Sequence, residues 1–129
     1  MDQTPRPWTV MVVDDDSLIR RAVTLYLSSR GYEIIGAVNG NDCLTKLNSK
    51  VPDVVLMDVM MPGMDGRETC RRVREFSEVP IILLSARAQE TDRELGIAAG
   101  ANGYITKPVS LKEVEAQVRA LLPAAPSRG

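Results

Sequence analysis

Five short apolar runs alternate with five segments of helical periodicity along the chain, and this alternation constrains the fold more than any other feature. The runs are short, which favours buried strands over helices. Strands that alternate with helices form a parallel sheet with helices on both of its faces. The predicted strands are residues 8–13, 32–38, 54–57, 80–84 and 103–106.

Helical spacing and capping residues mark the segments between the strands. In the first of them, Leu18, Ala22 and Leu25 recur at helical spacing before Gly31, which is a natural C-cap. The predicted helices are residues 17–30, 41–49, 65–76, 89–99 and a last segment capped by Ser110 and Glu113, whose inward stripe is Leu111, Val114, Val118 and Leu121.

The number and order of these elements predict one α/β domain. Right-handed crossovers leave few arrangements of five parallel strands, and the flavodoxin-like order 2-1-3-4-5, a three-layer (βα)5 sandwich, suits a chain of 129 residues. Residues 8–122 would form this domain, residues 1–7 an N-terminal extension, and residues 123–129 a tail or the start of a linker. In this order the carboxyl ends of strands 1, 3, 4 and 5 lie side by side, where open sheets bind ligands.

Composition and charge argue against several classes of function. The net charge of −1 gives no general attraction to nucleic acid or to an anionic membrane. No stretch approaches the roughly 20 apolar residues that span a bilayer, and the N-terminus lacks a signal-peptide pattern, so we expect a cytoplasmic protein. Cys43 and Cys70 are then expected to be reduced, half-buried thiols. Arg67, Arg71 and Arg74 share one helical face, which predicts a solvated surface.

Charged and hydroxyl side chains follow the strands whose carboxyl ends are predicted to be neighbours. Asp14 and Asp15 follow strand 1, Asp58 follows strand 3, and Ser85 and Lys107 follow strands 4 and 5. Three carboxylates within about 5 Å repel by roughly 3 kcal/mol per pair, so we expect a cation between them. Hard oxygen ligands suit Mg²⁺ (or Mn²⁺) that shares its shell with a phosphate. The pattern therefore predicts a site for a divalent cation and a phosphoryl group.

Each of these residues also has a plainer interpretation. The aspartates after strand 1 could simply cap the first helix, as Asp16 or Ser17 is expected to do. Asp58 is either a nucleophile that forms an acyl phosphate or a polar residue that starts a loop. Lys107 is either a phosphate-pairing cation or a solvated lysine; the proline after it favours the cation, because an X-Pro step can hold a cis bond and aim the preceding side chain. Ser85 is either a turn cap or a hydroxyl donor to phosphate.

The strings VVDDDS, DVMMPGMDG, LLSA and GYITKPVS occur in this order, and together they resemble the receiver domain of two-component response regulators. The resemblance extends over about residues 8–122. It implies that Asp58 accepts a phosphoryl group from the histidine of a sensor kinase or from a phosphotransfer protein. It also implies that Asp15 binds Mg²⁺ directly, that Asp14 assists through water, and that Met60 contributes its backbone carbonyl.

The resemblance further implies a signalling switch rather than an enzyme. Lys107 would contact the phosphoryl group, Ser85 would move toward its oxygens, and Tyr104 would turn inward as the hydroxyl leaves. The face formed by helix 4, strand 5 and helix 5 would then change its affinity for an output domain or effector protein, with no direct binding of nucleic acid. We expect helix 4 to move easily because its interior holds a glycine and its apolar anchors are few: Leu95, Ile97 and alanines around Gly96.

Phosphorylation-dependent homodimerisation through that face stays open. Asn102 and Gly103 stand where such receivers often carry an acidic pair, whereas Arg93, Glu113 and Arg119 could supply part of a charge network. The kinase and the output are not identified by the sequence.

Three other functions compete with this prediction. A phosphatase of the haloacid-dehalogenase type also uses a strand-end aspartate, but Leu18 stands where its Asp14-x-Asp16 motif needs Thr or Val. A structural interaction module could carry the same residues as a vestigial site. A flavin-binding protein would need a phosphate-cradling loop after strand 1, and none is present.

Overall fold

The computed structural model describes residues 7–123, and within that range five parallel strands form one sheet in the order β2-β1-β3-β4-β5. The predicted flavodoxin-like α/β fold is confirmed, with boundaries that differ from the predicted ones by a few residues. The elements are β1 (Thr9–Val13), α1 (Ser17–Ser29), β2 (Glu33–Ala37), α2 (Gly40–Ser49), β3 (Val54–Asp58), α3 (Gly66–Val73), β4 (Ile81–Ser85), α4 (Glu90–Ala98), β5 (Gly103–Thr106) and α5 (Leu111–Leu121).

Helices cover both faces of the sheet, so the interior strands are buried along their whole length. Successive side chains of a strand point to opposite faces, which divides the core into two layers. Met11 and Val13 of β1 pack in the layer beneath α2, α3 and α4, and Val10 and Val12 pack in the layer beneath α1 and α5. A strand buried on both faces does not alternate apolar with polar residues, and the continuous apolar run of β1 is an example.

Local capping explains where most of the helices begin. Asp16 accepts hydrogen bonds from the backbone N–H groups of Leu18 and Ile19, so it caps α1 as predicted. Asp65 caps α3, and Ser110 caps α5, each through the N–H of the third residue after it. Gln89, the N-cap residue of α4, makes no capping hydrogen bond with its side chain.

The apolar residues that indicated α1 in the sequence do not form its buried side. Leu18 and Leu25 are 78% and 60% exposed, and Ala22 lies on the same exposed side. The helix instead buries Val23 and Leu27 against the sheet, because its sequence is apolar on two faces and only the packing selects one of them.

The predicted anchoring of α4 is wrong in its details. Leu95 and Ile97 are 53% and 44% exposed, whereas Gly96 is the residue of α4 that is buried. The helix therefore approaches the sheet by its backbone at Gly96 and presents larger apolar side chains to solvent. Little apolar side-chain area holds it in place.

Two smaller predictions need correction. Cys43 and Cys70 are fully buried rather than half-buried, and burial raises the pKa of the Cys43 thiol to about 12. Arg74 is not part of a solvated surface, because its guanidinium donates hydrogen bonds to the carbonyls of Gly100 and Ser77. The bond to Gly100 joins the end of α3 to the turn after α4.

The structure leaves some sequence predictions untested. The predicted extension, residues 1–7, and the predicted tail, residues 123–129, lie almost entirely outside the described range. Within residues 7–123, none of the helices has both the length and the apolar character needed to cross a bilayer.

Gly66 allows α3 to begin directly against the end of β3. A Cβ at this position would overlap the carbonyl oxygen of Asp58 and stand 2.9 Å from the Cα of Val59. Both are backbone atoms, so the side-chain adjustments that usually relieve a clash are not available.

We predict that Gly66→Ala lowers the free energy of unfolding by about 2–3 kcal/mol, since overpacking against backbone forces the loop after Asp58 to shift. Urea denaturation followed by circular dichroism would measure the change. Gly36→Ala is the matched control, because a Cβ there would be in ordinary contact, 3.7 Å from Arg20 Cδ. Equal stability of the two variants would contradict the close approach.

Candidate functional site

The register of the sheet brings the polar strand ends to one edge. Val13 of β1 pairs with Met57 of β3, so the residues that follow them, Asp14 and Asp58, are neighbours. Asp58 in turn pairs with Leu84, the residue before Ser85 in β4. Parallel strands in this register must therefore carry the predicted site residues at the same edge.

Three carboxylates meet there as the sequence predicted. Asp14, Asp15 and Asp58 each offer an oxygen atom, and these atoms lie within 4.8 Å of one another. Asp14 and Asp58 are 2% and 4% exposed, whereas Asp15 is exposed. A cluster with two buried members and one open member can receive a ligand from solvent.

Lys107 supplies the opposing charge. Its Nζ lies 2.9 Å from Asp58 Oδ1 and 4.0 Å from Asp14 Oδ2, so both buried carboxylates face one ammonium group. The Lys107–Pro108 peptide bond after β5 is cis, as the sequence suggested. The expectation of a freely solvated lysine is thereby excluded, since Lys107 is mostly buried in this ion pair.

Two oxygens of the cluster fit a metal ion. Asp14 Oδ2 and Asp58 Oδ1 are buried and accept no hydrogen bond. The contact of Lys107 Nζ with Asp58 Oδ1 is an ion pair. Buried carboxylate oxygens without donors are costly unless a cation neutralises them. The residues present therefore match the oxygen donor set that a hard divalent cation requires.

Asp14 is held on several sides. Its N–H donates to the Ala37 carbonyl at the end of β2, and its Oδ1 accepts from the Asp16 N–H at 2.9 Å. Burial raises the pKa of the Asp14 carboxyl above its usual value, and the Asp58 charge adds to this effect, whereas the Asp16 bond and the Lys107 charge oppose it. The Asp14 charge is thus energetically unfavourable until a cation arrives.

Met60 lies two residues after Asp58 in the loop that follows β3. Its side chain is 53% exposed, whereas the flanking Val59 and Met61 are buried. The Val59 N–H donates to the Leu84 carbonyl, which continues the pairing of β3 and β4 by one residue and fixes the start of this loop.

Ser85 and Tyr104 are connected through the backbone of Arg87. The Arg87 N–H donates to Ser85 Oγ at 3.0 Å, and the Tyr104 hydroxyl donates to the Arg87 carbonyl at 2.9 Å. Both side chains are buried. The tyrosine ring packs on α4, because a Cβ at Gly96 would stand 3.1 Å from Tyr104 Cδ1. Ser85 therefore acts as a turn cap here, and a displacement of its oxygen acts on the same backbone that holds Tyr104.

Sequence reasoning missed some residues that organise this region. Asn102 was interpreted as the replacement of an acidic residue, but its Oδ1 accepts hydrogen bonds from the Ile81 N–H and from Arg74. Glu115 of α5 is buried in an ion pair with Arg30 at the end of α1. A backbone bond such as that of Arg87 leaves no signal in the sequence, because any residue type can make it.

Comparisons with known proteins identify the family of this chain. The family model of the response regulator receiver domain matches residues 10–119. The chain therefore belongs to the receiver domain family of two-component signalling.

Solved structures of this family resemble the chain over nearly its full length. A Chloroflexus aurantiacus J-10-fl protein assigned as a response regulator is 34% identical with a TM-score of 0.84, and the match covers 89% of this chain and 97% of that one. The chemotaxis protein CheY4 of Vibrio cholerae is 31% identical with a TM-score of 0.84, covering 90% and 99%. The BeF3-activated DrrB receiver domain is 33% identical with a TM-score of 0.81, covering 89% and 97%.

We predict that Asp14→Asn raises the free energy of unfolding at neutral pH in the presence of EDTA, by on the order of 1 kcal/mol, the scale of burial and like-charge repulsion at one carboxylate. Asparagine removes the charge and keeps an acceptor for the Asp16 N–H. Thermal or urea denaturation would measure the difference.

The pH dependence has a defined sign. Because the Asp14 pKa is higher in the folded chain, the folded state binds this proton more readily than the unfolded state. The advantage of Asp14→Asn should therefore shrink as the pH falls through the acid range and the wild-type carboxyl protonates. Asp16→Asn, which alters an exposed cap in the same loop, is the control and should give no gain. A loss of stability in Asp14→Asn would contradict the prediction.

Proposed function

We propose that this domain accepts a phosphoryl group on Asp58, with Mg²⁺ bound beside it, and that the resulting charge switches the face formed by α4, β5 and α5. The proposal is carried by the surroundings of Asp58: two further carboxylates lie beside it, and Lys107 Nζ lies 2.9 Å from its Oδ1. Membership of the receiver family supports the same role.

The residues that would hold Mg²⁺ are Asp14, Asp15 and Asp58, together with the backbone carbonyl of Met60. Their two orphaned buried oxygens support this assignment. Bound Mg²⁺ supplies positive charge that lets an anionic phosphoryl group approach an anionic carboxylate. Mn²⁺ prefers the same oxygen ligands and is expected to replace it.

The bonds that change in the transfer are those of one Asp58 oxygen and of the phosphorylated donor. One carboxylate oxygen forms a bond to phosphorus as the bond from phosphorus to the donor imidazole nitrogen breaks. The electron pair of that bond returns to the imidazole, which takes up a proton. Lys107 lies where it can pair with a phosphoryl oxygen during and after the transfer.

The connection from Ser85 to Tyr104 supports a conformational response. A phosphoryl group adds a charge of about −1.5 to −2 and three strong acceptors. If Ser85 Oγ moves toward one of them to donate, the Arg87 N–H either follows it or loses its acceptor, and either change acts on the loop that anchors Tyr104. About 5.5 kcal/mol of differential stabilisation converts a two-state population from 1:99 to 99:1, which a few charge-assisted bonds can supply.

The donor would be a sensor histidine kinase or a phosphotransfer protein, and it must approach the open edge of the sheet. The exposed side chains of Leu18 and Met60 lie near this edge and offer apolar contact. The output domain or effector would bind the α4-β5-α5 face. Fewer charged side chains are available for homodimerisation through this face, because two of its arginines already have partners within the chain. Arg93 donates to the Tyr104 carbonyl, and Arg119 pairs with Glu115.

Incubation of the full chain with acetyl phosphate and Mg²⁺ should add one phosphoryl group, and Asp58→Asn should abolish the addition, since the amide is a poor nucleophile. Intact mass spectrometry would measure both. Asp65→Asn is the matched control from the same loop, because asparagine also caps a helix and phosphorylation should persist. An unmodified wild type would favour the vestigial module, and steady turnover of a phosphomonoester would favour the phosphatase.

The switch can be tested by hydrogen exchange. We expect BeF3 with Mg²⁺, a phosphoryl mimic, to change amide exchange in α4, β5 and α5 of the wild type, and to leave α2 unchanged. Asp58→Asn treated in the same way is the control and should show no difference. Identical exchange of the α4-β5-α5 face with and without the mimic would rule out the proposed switch.

A further inference from the structure

We propose that Arg20 is a positioning residue of the metal site, which acts by fixing the backbone of Asp14. The Arg20 Nη1 donates a hydrogen bond to the Asp14 carbonyl at 2.6 Å, and this bond spans from α1 back to the loop that carries Asp14 and Asp15. The inference deepens the proposed function and rests on it, since it concerns the residues that would hold Mg²⁺.

The position of Asp14 explains why its carbonyl depends on a side chain. Asp14 stands one residue beyond the end of β1, and its N–H still donates to the Ala37 carbonyl of β2. A backbone carbonyl in a buried setting needs a donor, or it costs free energy comparable to a lost hydrogen bond. The Arg20 guanidinium supplies that donor, and a charged donor makes a stronger bond than a neutral one.

The Arg20 side chain lies along the edge of the sheet. It passes over Gly36 of β2, where a Cβ would stand 3.7 Å from Arg20 Cδ. Arg20 is partly buried, whereas its neighbour Arg21 is exposed. Near the same edge, the Val38 N–H lowers the pKa of Asp42, and the Arg20 charge acts in the same direction. The hydrogen bond to the Asp14 carbonyl and the contact with Gly36 place the guanidinium beside the ends of β1 and β2.

Together these contacts leave one atom of Asp14 available. Its N–H is bonded to Ala37, its carbonyl to Arg20, and its Oδ1 to Asp16, whereas Oδ2 is buried and accepts no hydrogen bond. The bonds of the Asp14 N–H, carbonyl and Oδ1 thus set the direction in which Oδ2 points. Loss of the Arg20 bond would free the Asp14 backbone to move toward another donor and would displace Oδ2 from Asp58 and Asp15.

The alternative is that Arg20 only fastens α1 to the sheet. That role would lower stability when the arginine is removed, without changing metal affinity in the folded chain. The two roles therefore differ in their effect on Mg²⁺ binding, which is measured on folded protein.

The test compares Arg20→Met with Arg21→Met in the full chain, using Mg²⁺ alone as the ligand. Both variants lose one positive charge from α1, but only the first loses the bond to Asp14. We expect Arg20→Met to weaken Mg²⁺ binding about tenfold, the scale seen when a residue behind a metal ligand is removed. Arg21→Met should stay near the wild-type dissociation constant. Isothermal calorimetry or amide shifts of the acidic loop would measure both.

A second readout separates positioning from direct participation. Phosphorylation by acetyl phosphate should need more Mg²⁺ for half-maximal rate in Arg20→Met, and the rate at saturating Mg²⁺ should return to the wild-type value. Arg20→Lys keeps the charge and a donor, and it should recover part of the affinity. If Arg20→Met does not fold, Arg20→Lys and Arg20→Gln replace it in the test. Mg²⁺ affinity equal to that of the wild type in both of these variants would overturn the inference.

The outcomes distinguish the inference from the proposed function. If the wild type shows no response to Mg²⁺ and no phosphorylation, the proposed function fails and the inference fails with it. If the wild type responds normally and Arg20→Met binds Mg²⁺ as tightly as Arg21→Met, the inference alone is overturned.

Discussion

Repulsion among carboxylates at the carboxyl edge of the sheet is the constraint on which the rest of this structure depends. The parallel register places Asp14 beside Asp58, and the fold offsets their charges with a single ammonium group, that of Lys107. Two oxygens still lack a donor, so the site is incomplete as a purely protein arrangement. A cation and an anionic phosphoryl group would complete it, because one neutralises the carboxylates and the other pairs with the lysine.

Such a site is useful only if its atoms are held in place, and the surrounding backbone does this. Gly66 lets α3 begin against the Asp58 carbonyl, and Arg20 fastens the Asp14 carbonyl from the opposite side. The backbone on both sides of the acidic edge is therefore held by specific contacts. By contrast, α4 buries little more than Gly96 and presents Leu95 and Ile97 to solvent. A site held by such contacts beside a weakly held helix is an arrangement suited to a switch.

The strands and the acidic cluster could be predicted because their signals are local or follow from topology. Short apolar runs identify the strands, and the strand order then requires Asp14, Asp15 and Asp58 to meet. The inward stripe of α5 was predicted correctly, because Val114 and Val118 are buried and Leu111 and Leu121 pack beside them, but the buried face of α1 could not be predicted in the same way. The α1 sequence has apolar residues on two sides: Leu18 and Leu25 recur at helical spacing, yet the sheet buries Val23 and Leu27. Choosing between two apolar faces depends on shape complementarity, which no single segment encodes.

The amino-acid sequence by itself determined the α/β class, the strand order, the helix caps and the gathering of acidic residues with a lysine at one edge. Those features depend on period, turn chemistry and the geometry of parallel strands, all of which are written in residue order. Only the tertiary structure decided which face of α1 is buried, that α4 contacts the sheet through Gly96, and that Arg87 joins Ser85 to Tyr104. The physical reason is that these contacts are made by backbone atoms or by competing apolar surfaces, and both become definite only when distant segments pack together.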